Sequence, residues 1–223
     1  MVKKKADINT DPEDRPTPLT EETFRQALDF LSNRDPDLAQ ILTKHGPPPM
    51  WTREPGFPTL ILIILEQQVS LASARAAYDR LLKAASPLTP VRFLELDDAT
   101  LKAIGFSRQK TAYGRSLAKA LVDRHLDLVK LEMMSDTEVR TELIKVKGIG
   151  PWTADIYLLT ALGRPDIMPS ADLALATAAQ KVKRLVSRPT PDELNTLSKD
   201  WRPWRGVAAR LLWHYYLSQR APA

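Results

Sequence analysis

The chain contains no cysteine among its 223 residues. This absence excludes disulfides, thiolate nucleophiles, cysteine-ligated zinc and iron–sulfur clusters. Histidine is also scarce, with three residues scattered along the chain, so we do not expect a dedicated histidine metal site. The chemistry that remains open to this protein depends on carboxylates and backbone groups.

Long apolar runs are missing as well. No stretch reaches the roughly 18 apolar residues that a membrane-spanning helix needs, and the segment from Met1 to Thr20 is polar and contains prolines, unlike a signal peptide. We therefore expect a cytosolic protein.

The excess of positive charge is small, because 32 Lys and Arg against 27 Asp and Glu give a formal charge of +5. Such a balance favours a polyanionic partner without requiring one.

Strand-like alternation of apolar and polar residues does not persist anywhere in the sequence, and apolar residues recur instead at helical spacing. We therefore predict an all-α fold of about ten helices, arranged as a two-lobed bundle. Residues 1–18 combine three lysines with acids and prolines and show no apolar period, which predicts a disordered tail. Residues 19–223 are predicted to form the folded part, with a cleft between the two lobes.

Helix start and stop signals place the main elements. Thr20, followed by two glutamates, is typical of the residue that caps a first helix. A run that begins at Leu60 is apolar on every side and predicts a central buried helix continuing to Leu81. The last helix is predicted from about Pro203 to Leu217.

The segment Ile144–Ala154 has the sequence of a tight turn between two helices. Gly148 and Gly150 flank one apolar residue, Ile149, so the backbone can turn sharply and come close to a ligand. The helix that follows presents unpaired N–H groups and the positive end of its dipole. Such a turn can hold a phosphate through backbone contacts, which fix a DNA strand without reading its sequence.

Two lysines of the same segment, Lys145 and Lys147, add electrostatic attraction for phosphate. An isolated Gly-x-Gly is more often a simple corner in which the glycines end one helix. The context of the motif therefore has to distinguish a DNA-binding hairpin from such a corner.

This segment resembles the hairpin of the helix-hairpin-helix base-excision DNA glycosylases. In that superfamily an aspartate follows the hairpin, and Asp172 lies 22 residues beyond Gly150 here. The resemblance extends from about Thr20 to Gln219 and is greatest to the 3-methyladenine DNA glycosylase II group, in a compact form without its N-terminal β-domain. It implies a helix-hairpin-helix fold and a base-excision activity.

Asp172 carries the predicted chemistry. It follows Ser170, a residue typical of helix N-caps, so its carboxylate is predicted to lie in the first turn of a helix, where the dipole favours an anion. Breaking an N-glycosidic bond builds positive charge on the sugar, which a carboxylate stabilises while it orients or deprotonates water. On local sequence alone, an aspartate that only caps its helix is equally plausible, and the position relative to the hairpin favours catalysis.

Superfamily members that also cleave the strand carry a lysine at the position of Trp152, whose amine forms a Schiff base with the sugar. The resemblance therefore implies a monofunctional glycosylase that leaves an abasic site and requires no cofactor. It also implies that the backbone carbonyls of Ile144, Val146 and Ile149 hold a monovalent cation, Na⁺ or K⁺, that bridges to phosphate.

The resemblance assigns five residues to the substrate pocket. Trp152 and Trp213 match pocket tryptophans, whose electron-rich faces suit a cationic base. Ile156 and Leu173 stand where a bacterial relative has tyrosines. Trp51, in the loop before the central helix, is assigned to the pocket rim, although tryptophans in general are more often core residues.

A base inside a duplex must be flipped out before it can be excised, at an unstacking cost of a few kcal/mol. The resemblance places Gln68 at the wedge position that fills the gap, where the best-known bacterial member has leucine, and places Gln67 beside it on the DNA. Each could instead be a polar residue at the end of a buried helix. Arg205 and His214 are candidates either to contact DNA or to brace Asp172.

Together these features predict a monomeric enzyme that excises alkylated purines of the 3-methyladenine type from double-stranded DNA and so initiates base excision repair. It is expected in the cytoplasm, associated with the nucleoid, or in the nucleus of a eukaryote. Two other functions stay open: recognition of damaged DNA without catalysis, and excision of uracil, hypoxanthine or mismatched bases. A helical protein without any role on DNA is a further alternative, which salt-sensitive duplex binding would exclude.

Overall fold

The computed structural model describes residues 17–220, and all regular structure in that range is helical. Residues 1–16 of the predicted tail lie outside the described residues. The elements in chain order are α1 Glu21–Arg34, α2 Pro36–His45, α3 Phe57–Glu66, α4 Leu71–Ala84, α5 Pro90–Glu95, α6 Asp98–Ile104, α7 Arg108–Val122, α8 Leu128–Leu131, α9 Asp136–Ile144, α10 Pro151–Thr160, α11 Leu173–Val182, α12 Pro191–Leu197, a 3-10 turn Ser198–Trp201, and α13 Arg205–Ser218. The all-α prediction is confirmed.

The described range holds more helices than the ten or so expected, because α5, α6, α8 and α12 have seven residues or fewer and are too short to show an apolar period. The predicted cap of the first helix is present, since the hydroxyl of Thr20 accepts a hydrogen bond from the N–H of Thr23 at 3.1 Å. Leu19 already belongs to the fold, because its N–H donates to the carbonyl of Gly163 at 2.7 Å. No helix in the described part of the chain is long and apolar enough to cross a membrane.

The prediction of one continuous central helix is wrong, because the segment forms two helices, α3 and α4. Gln68, between them, has a left-handed φ of 57°. Ser70 then starts α4 by accepting a hydrogen bond from the N–H of Ser73 at 3.2 Å. Periodicity misses this break, because one residue with positive φ ends a helix without disturbing the apolar pattern on either side.

Helix α3 is at the centre of the core, where α4, α7 and α10 pack around it. Its side chains Leu60, Ile61, Ile63 and Ile64 have no exposed surface. Burying each of them contributes about 1.5–3 kcal/mol. This helix therefore has a fixed position, and so does its C-terminal end, from which Gln67 and Gln68 follow.

The loop between α2 and α3 is held at several points, two of which lie on either side of Trp51. Arg210, on α13, donates to the carbonyl of Met50 at 2.7 Å. Burial lowers the pKa of Arg210 to about 10, so this guanidinium remains charged at neutral pH. Arg53 makes two hydrogen bonds of 2.9 Å to the carboxylate of Glu66. Trp51 lies between these two attachments and is placed by them.

Candidate active site

Asp172 is the N-cap residue of α11, one position outside the helix. The prediction that Ser170 caps this helix and that Asp172 lies inside its first turn is wrong. The N–H of Asp172 donates to the carbonyl of Pro169 at 2.9 Å, so a turn precedes the helix and delays its start. The carboxylate itself accepts a hydrogen bond from the N–H of Leu175 at 2.9 Å. The carboxylate therefore lies at the positive end of the helix dipole, as expected.

Two tryptophans from different helices donate to this carboxylate. The indole N–H of Trp152, on α10, lies 2.8 Å from one oxygen of Asp172, and the indole N–H of Trp213, on α13, lies 3.3 Å from the other. All three residues are half-buried. Two of the five predicted pocket residues thus lie against the predicted catalytic residue, and neutral donors fix the orientation of its carboxylate.

Trp51 extends this aromatic group. Its ring packs edge-on against the ring of Trp213, with centroids 6.4 Å apart and planes at 81°. The backbone of Trp51 has a positive φ of 48°, unusual for a bulky residue, which the two attachments of its loop hold in place.

The two aliphatic residues assigned to the pocket have different surroundings. Ile156 is buried within α10, one helical turn after Trp152. Leu173 is 67% exposed at the first position of α11, next to Asp172. Leu173 is therefore open to a bound ligand at the edge of the site, whereas Ile156 packs in the core beneath it.

The hairpin connects α9 to α10 as predicted, and its two glycines differ. Gly148 has a left-handed φ of 97°, and a Cβ added to it would lie 2.1 Å from the ring of Tyr113. Gly148 is therefore required by the fold. Tyr113 is a residue that the sequence did not single out, because nothing in its spacing indicates that it supports the hairpin.

Gly150 has an ordinary extended backbone, with φ −98° and ψ −179°, and a Cβ added to it would meet no atom within 4 Å. Neither conformation nor packing requires glycine here, so the open space suits close approach of a ligand backbone. Lys147 nearby is exposed, whereas the amine of Lys145 lies 2.6 Å from the carboxylate of Glu142. Of the two predicted phosphate-attracting lysines, Lys145 thus has a carboxylate partner within its own helix end.

The three hairpin carbonyls assigned to a cation have chemistry that fits such an ion, since hard cations prefer oxygen ligands. The carbonyl of Val146 accepts a hydrogen bond from the N–H of Ile149 at 3.0 Å, and a carbonyl oxygen has a second lone pair to offer. Side chains offer no alternative, because no group of three or more His, Asp or Glu among residues 17–220 is placed to hold a metal.

The two predicted DNA-contacting glutamines have opposite orientations. Gln68 is exposed at its left-handed turn. Gln67 is half-buried, and its amide nitrogen lies 2.9 Å from the carbonyl oxygen of Gly148 and 3.0 Å from the hydroxyl of Thr153. Sequence reasoning placed both on the DNA, but the amide group of Gln67 is bound to the hairpin instead.

Arg205 and His214 do not contact Asp172. Arg205 donates to both carboxylate oxygens of Asp166, at 2.8 Å each. One ring nitrogen of His214 is hydrogen-bonded to the carbonyl of His45 at 2.9 Å. The suggestion that either residue braces the carboxylate of Asp172 is therefore wrong.

A polar cavity of about 430 Å³ lies apart from the tryptophans. The loop that leads to Asp172 lines it together with residues of α9, α10 and α12 and the first residue of α13. Its three carboxylates each face an arginine: Asp136 faces Arg164, Asp155 faces Arg140, and Asp166 faces Arg205. Burial raises the pKa of Asp136 and Asp155, although the arginines partly offset this.

The chain is similar to known DNA repair proteins over most of its length. The family model described as "HhH-GPD superfamily base excision DNA repair protein" matches residues 61–203. The Alkylbase DNA glycosidase-like protein mag2 of Schizosaccharomyces pombe is 30% identical over 197 residues, which cover 85% of this chain and 92% of that protein.

Two solved structures are similar over most of their length. The 3-methyladenine DNA glycosylase of S. pombe in complex with abasic DNA superposes with a TM-score of 0.77 at 27% identity, covering 84% of this chain and 95% of the other. A DNA-3-methyladenine glycosidase from Bacillus halodurans has a TM-score of 0.72 at 27% identity, covering 87% and 90%. The chain belongs to the HhH-GPD superfamily of base excision DNA repair proteins.

Proposed function

We propose that this protein is a monofunctional DNA glycosylase that hydrolyses the N-glycosidic bond of alkylated purines and leaves an abasic site. One observation carries the proposal: the carboxylate of Asp172 takes its hydrogen bonds from Leu175, Trp152 and Trp213, all neutral donors. Its negative charge is therefore available to a cationic ligand. The names of the relatives and of the similar structures support the same activity.

The reaction needs this charge at the sugar. When the bond between C1′ and the purine nitrogen breaks, its electron pair leaves with the base and the sugar becomes an oxocarbenium-like cation. Asp172 stabilises that cation electrostatically. Water then adds to C1′ and loses a proton, which Asp172 or solvent accepts. Because three donors orient the carboxylate in advance, no reorganisation is needed as the sugar gains charge.

The proposed substrate class follows from the surroundings of Asp172. A purine alkylated on a ring nitrogen is cationic, and its departure restores a neutral base, so little acid catalysis is required. Indole faces attract such a cation by about 0.5–2 kcal/mol each. Trp51, Trp152 and Trp213 provide these faces, with Leu173 at the edge and Ile156 beneath. A neutral base such as uracil or hypoxanthine gains less from this pocket.

Strand cleavage is not expected. A lyase would need an amine beside the sugar, and Trp152 occupies the position where the bifunctional members carry lysine. Lys145 and Lys147 belong to the first arm of the hairpin, and the amine of Lys145 is bound to Glu142. We assign Lys147 to phosphate attraction.

The hairpin and the turn at Gln68, here called the wedge turn, are the two segments proposed to bind double-stranded DNA. Helix α10 starts at Pro151, so the backbone N–H groups around Gly150 and Trp152 have no acceptor within the helix and suit a phosphate. The carbonyls of Ile144, Val146 and Ile149 would hold a monovalent cation there, which adds positive charge beside that phosphate. Gln68, exposed at its strained turn, is the proposed wedge.

Residues 19–223 are taken as one glycosylase fold of two helical lobes with the site in the cleft between them, and residues 1–18 as a tail. The enzyme is proposed to act as a monomer, since flipping one nucleotide requires a single site. It would act wherever genomic DNA is, in the cytoplasm of a bacterium or in the nucleus of a eukaryote.

Base release from heavily methylated duplex DNA tests the proposal. The wild-type protein is expected to release methylated purines, and the strand should break only after alkali treatment. Strand breaks without alkali, trapped by borohydride, would contradict the monofunctional mechanism. Binding of distorted duplex without release of any base, from methylated, uracil or hypoxanthine substrates, would support a recognition protein instead.

A further inference from the structure

The wedge turn and the hairpin are joined by a single side chain. Gln67 follows α3 directly and is 81 residues from Gly148 in sequence, yet its amide nitrogen donates to the carbonyl of Gly148 at 2.9 Å and lies 3.0 Å from the hydroxyl of Thr153. A glutamine amide has two N–H donors, and these two contacts account for both. Gln67 therefore has no N–H left to donate to DNA.

The acceptors of Gln67 are themselves held firmly. Gly148 is packed on the ring of Tyr113 in a left-handed conformation. Thr153 is 1% exposed within α10. An amide bound to two such groups takes a fixed position relative to the hairpin, and its own backbone then has a fixed position as well.

Gln68 directly follows Gln67 and has a positive φ. In a residue with a Cβ this conformation costs a free energy on the order of 1–2 kcal/mol. The turn is attached on its remaining sides by Ser70, which starts α4, and by the amine of Lys110, which donates to the carbonyl of Leu65 at 2.6 Å. A strained conformation persists only where the surroundings hold it.

We propose that Gln67 is a positioning residue that couples the hairpin to the wedge and does not itself contact DNA. The hairpin would hold a phosphate, Gln68 would enter the base stack, and the Gln67 amide sets the distance between them. This inference rests on the proposed function, because it assigns Gln68 to the gap left by a flipped nucleotide. It predicts that loss of the Gln67 amide impairs flipping of the nucleotide more than it impairs binding of undamaged duplex.

Full-length Gln67→Met and Gln68→Ala variants, alone and combined, test the coupling on a duplex that carries a tetrahydrofuran abasic analogue beside 2-aminopurine. Anisotropy reports binding, and 2-aminopurine fluorescence reports unstacking. We expect Gln67→Met to weaken binding of this duplex about 10-fold and to reduce the fluorescence rise, since it leaves the Gly148 carbonyl unpaired. Binding of undamaged duplex and its salt dependence should stay within about twofold, because phosphate contacts are retained.

The double variant distinguishes positioning from contact. If Gln67 acts through Gln68, the double variant behaves like Gln68→Ala alone, since the second loss removes nothing further. If the losses of the two single variants multiply in the double variant, Gln67 contacts DNA independently and the proposal is overturned. A fluorescence rise like that of the wild type in Gln67→Met would also overturn it. Gln26→Met, on the exposed face of α1, is the matched control.

Should Gln67→Met unfold, Thr153→Val removes one of the two contacts in a side chain of similar shape and is expected to show a smaller loss of the same kind. The binding assay does not depend on excision. A wild-type protein that unstacks the duplex but releases no base would contradict the proposed function alone, and a Gln67→Met variant that excises like wild type would contradict the coupling alone.

Discussion

Two groups of carboxylates lie near the loop that precedes α11, and they are held in opposite ways. Asp136, Asp155 and Asp166 each face an arginine guanidinium around the polar cavity. Asp172 is held by two indole N–H groups and one backbone N–H. The first group is neutralised internally and contributes to the fold, whereas the charge of Asp172 remains to be used by a ligand. The proposed catalytic carboxylate is thus distinguished by its neutral partners.

Giving Asp172 an arginine partner, like those of the other three carboxylates, should have the largest effect on the rate of excision. Trp152→Arg places a guanidinium beside Asp172, which neutralises its charge and repels a cationic base. We expect single-turnover release of methylated purines to fall on the order of 10²–10³-fold, the range seen when one charge-stabilising group is lost. Circular dichroism should show retained helicity, and a variant that keeps most of its rate would show that the charge of Asp172 is not what the reaction uses.

A related contrast, between a residue that serves the fold and one that faces a ligand, occurs within the hairpin. Gly148→Ala forces a Cβ into the ring of Tyr113 at a left-handed φ, and should lower the free energy of unfolding by about 2–4 kcal/mol. Gly150→Ala meets no atom and should leave that free energy nearly unchanged while weakening binding of abasic duplex. Urea denaturation and anisotropy measure the two quantities. Equal destabilisation by both variants would contradict the assignment of Gly150 to the ligand.

Trp152 has two proposed roles: its N–H orients the carboxylate of Asp172, and its ring stacks on the base. A substitution that removes the N–H and keeps an aromatic ring separates these roles. Trp152→Phe loses the 2.8 Å hydrogen bond to Asp172. We expect the single-turnover rate to fall about 10- to 100-fold, the cost of one hydrogen bond to a charged group, with little change in substrate affinity. A loss confined to affinity would indicate that Trp152 only stacks on the base.

The smallest effect concerns the arginine-paired group. Burial raises the pKa of Asp155 above its usual 3.8, so the folded protein binds this proton more tightly than the unfolded chain. The resulting stabilisation is present below pH 3.8 and is lost as pH rises through the raised pKa. Asp155→Asn removes this titration, so its unfolding free energy should decline less than that of the wild type as pH rises above 3.8. An unchanged slope in urea titrations would contradict this.

The sequence predicts the helical class and the group around Asp172 well. Trp152 and Trp213 lie 20 and 41 residues from Asp172, and the resemblance to a known superfamily brings them together where periodicity could not. The hairpin is predicted because its Gly-x-Gly is followed by an aspartate, as in the superfamily that the segment resembles. Residue identity and order were sufficient for these features.

What the sequence did not predict depends on local conformation. The break after α3 results from one left-handed residue, Gln68, and the side chain of the adjacent Gln67 binds the hairpin. Asp172 caps α11 itself because a turn ends just before it. Neither a single positive φ nor a shift of one helix start by two residues changes the apolar pattern, so pattern analysis cannot detect them.

Single-turnover excision by the wild type, Asp172→Asn and Asp155→Asn on the same methylated duplex tests the central claim most directly. Asparagine caps helices as well as aspartate does, so Asp172→Asn should fold and bind abasic duplex like the wild type. The account predicts that Asp172→Asn loses about 10²–10³-fold in rate, while Asp155→Asn stays within about twofold. Comparable rates for Asp172→Asn and the wild type, or an equal loss in Asp155→Asn, would contradict it.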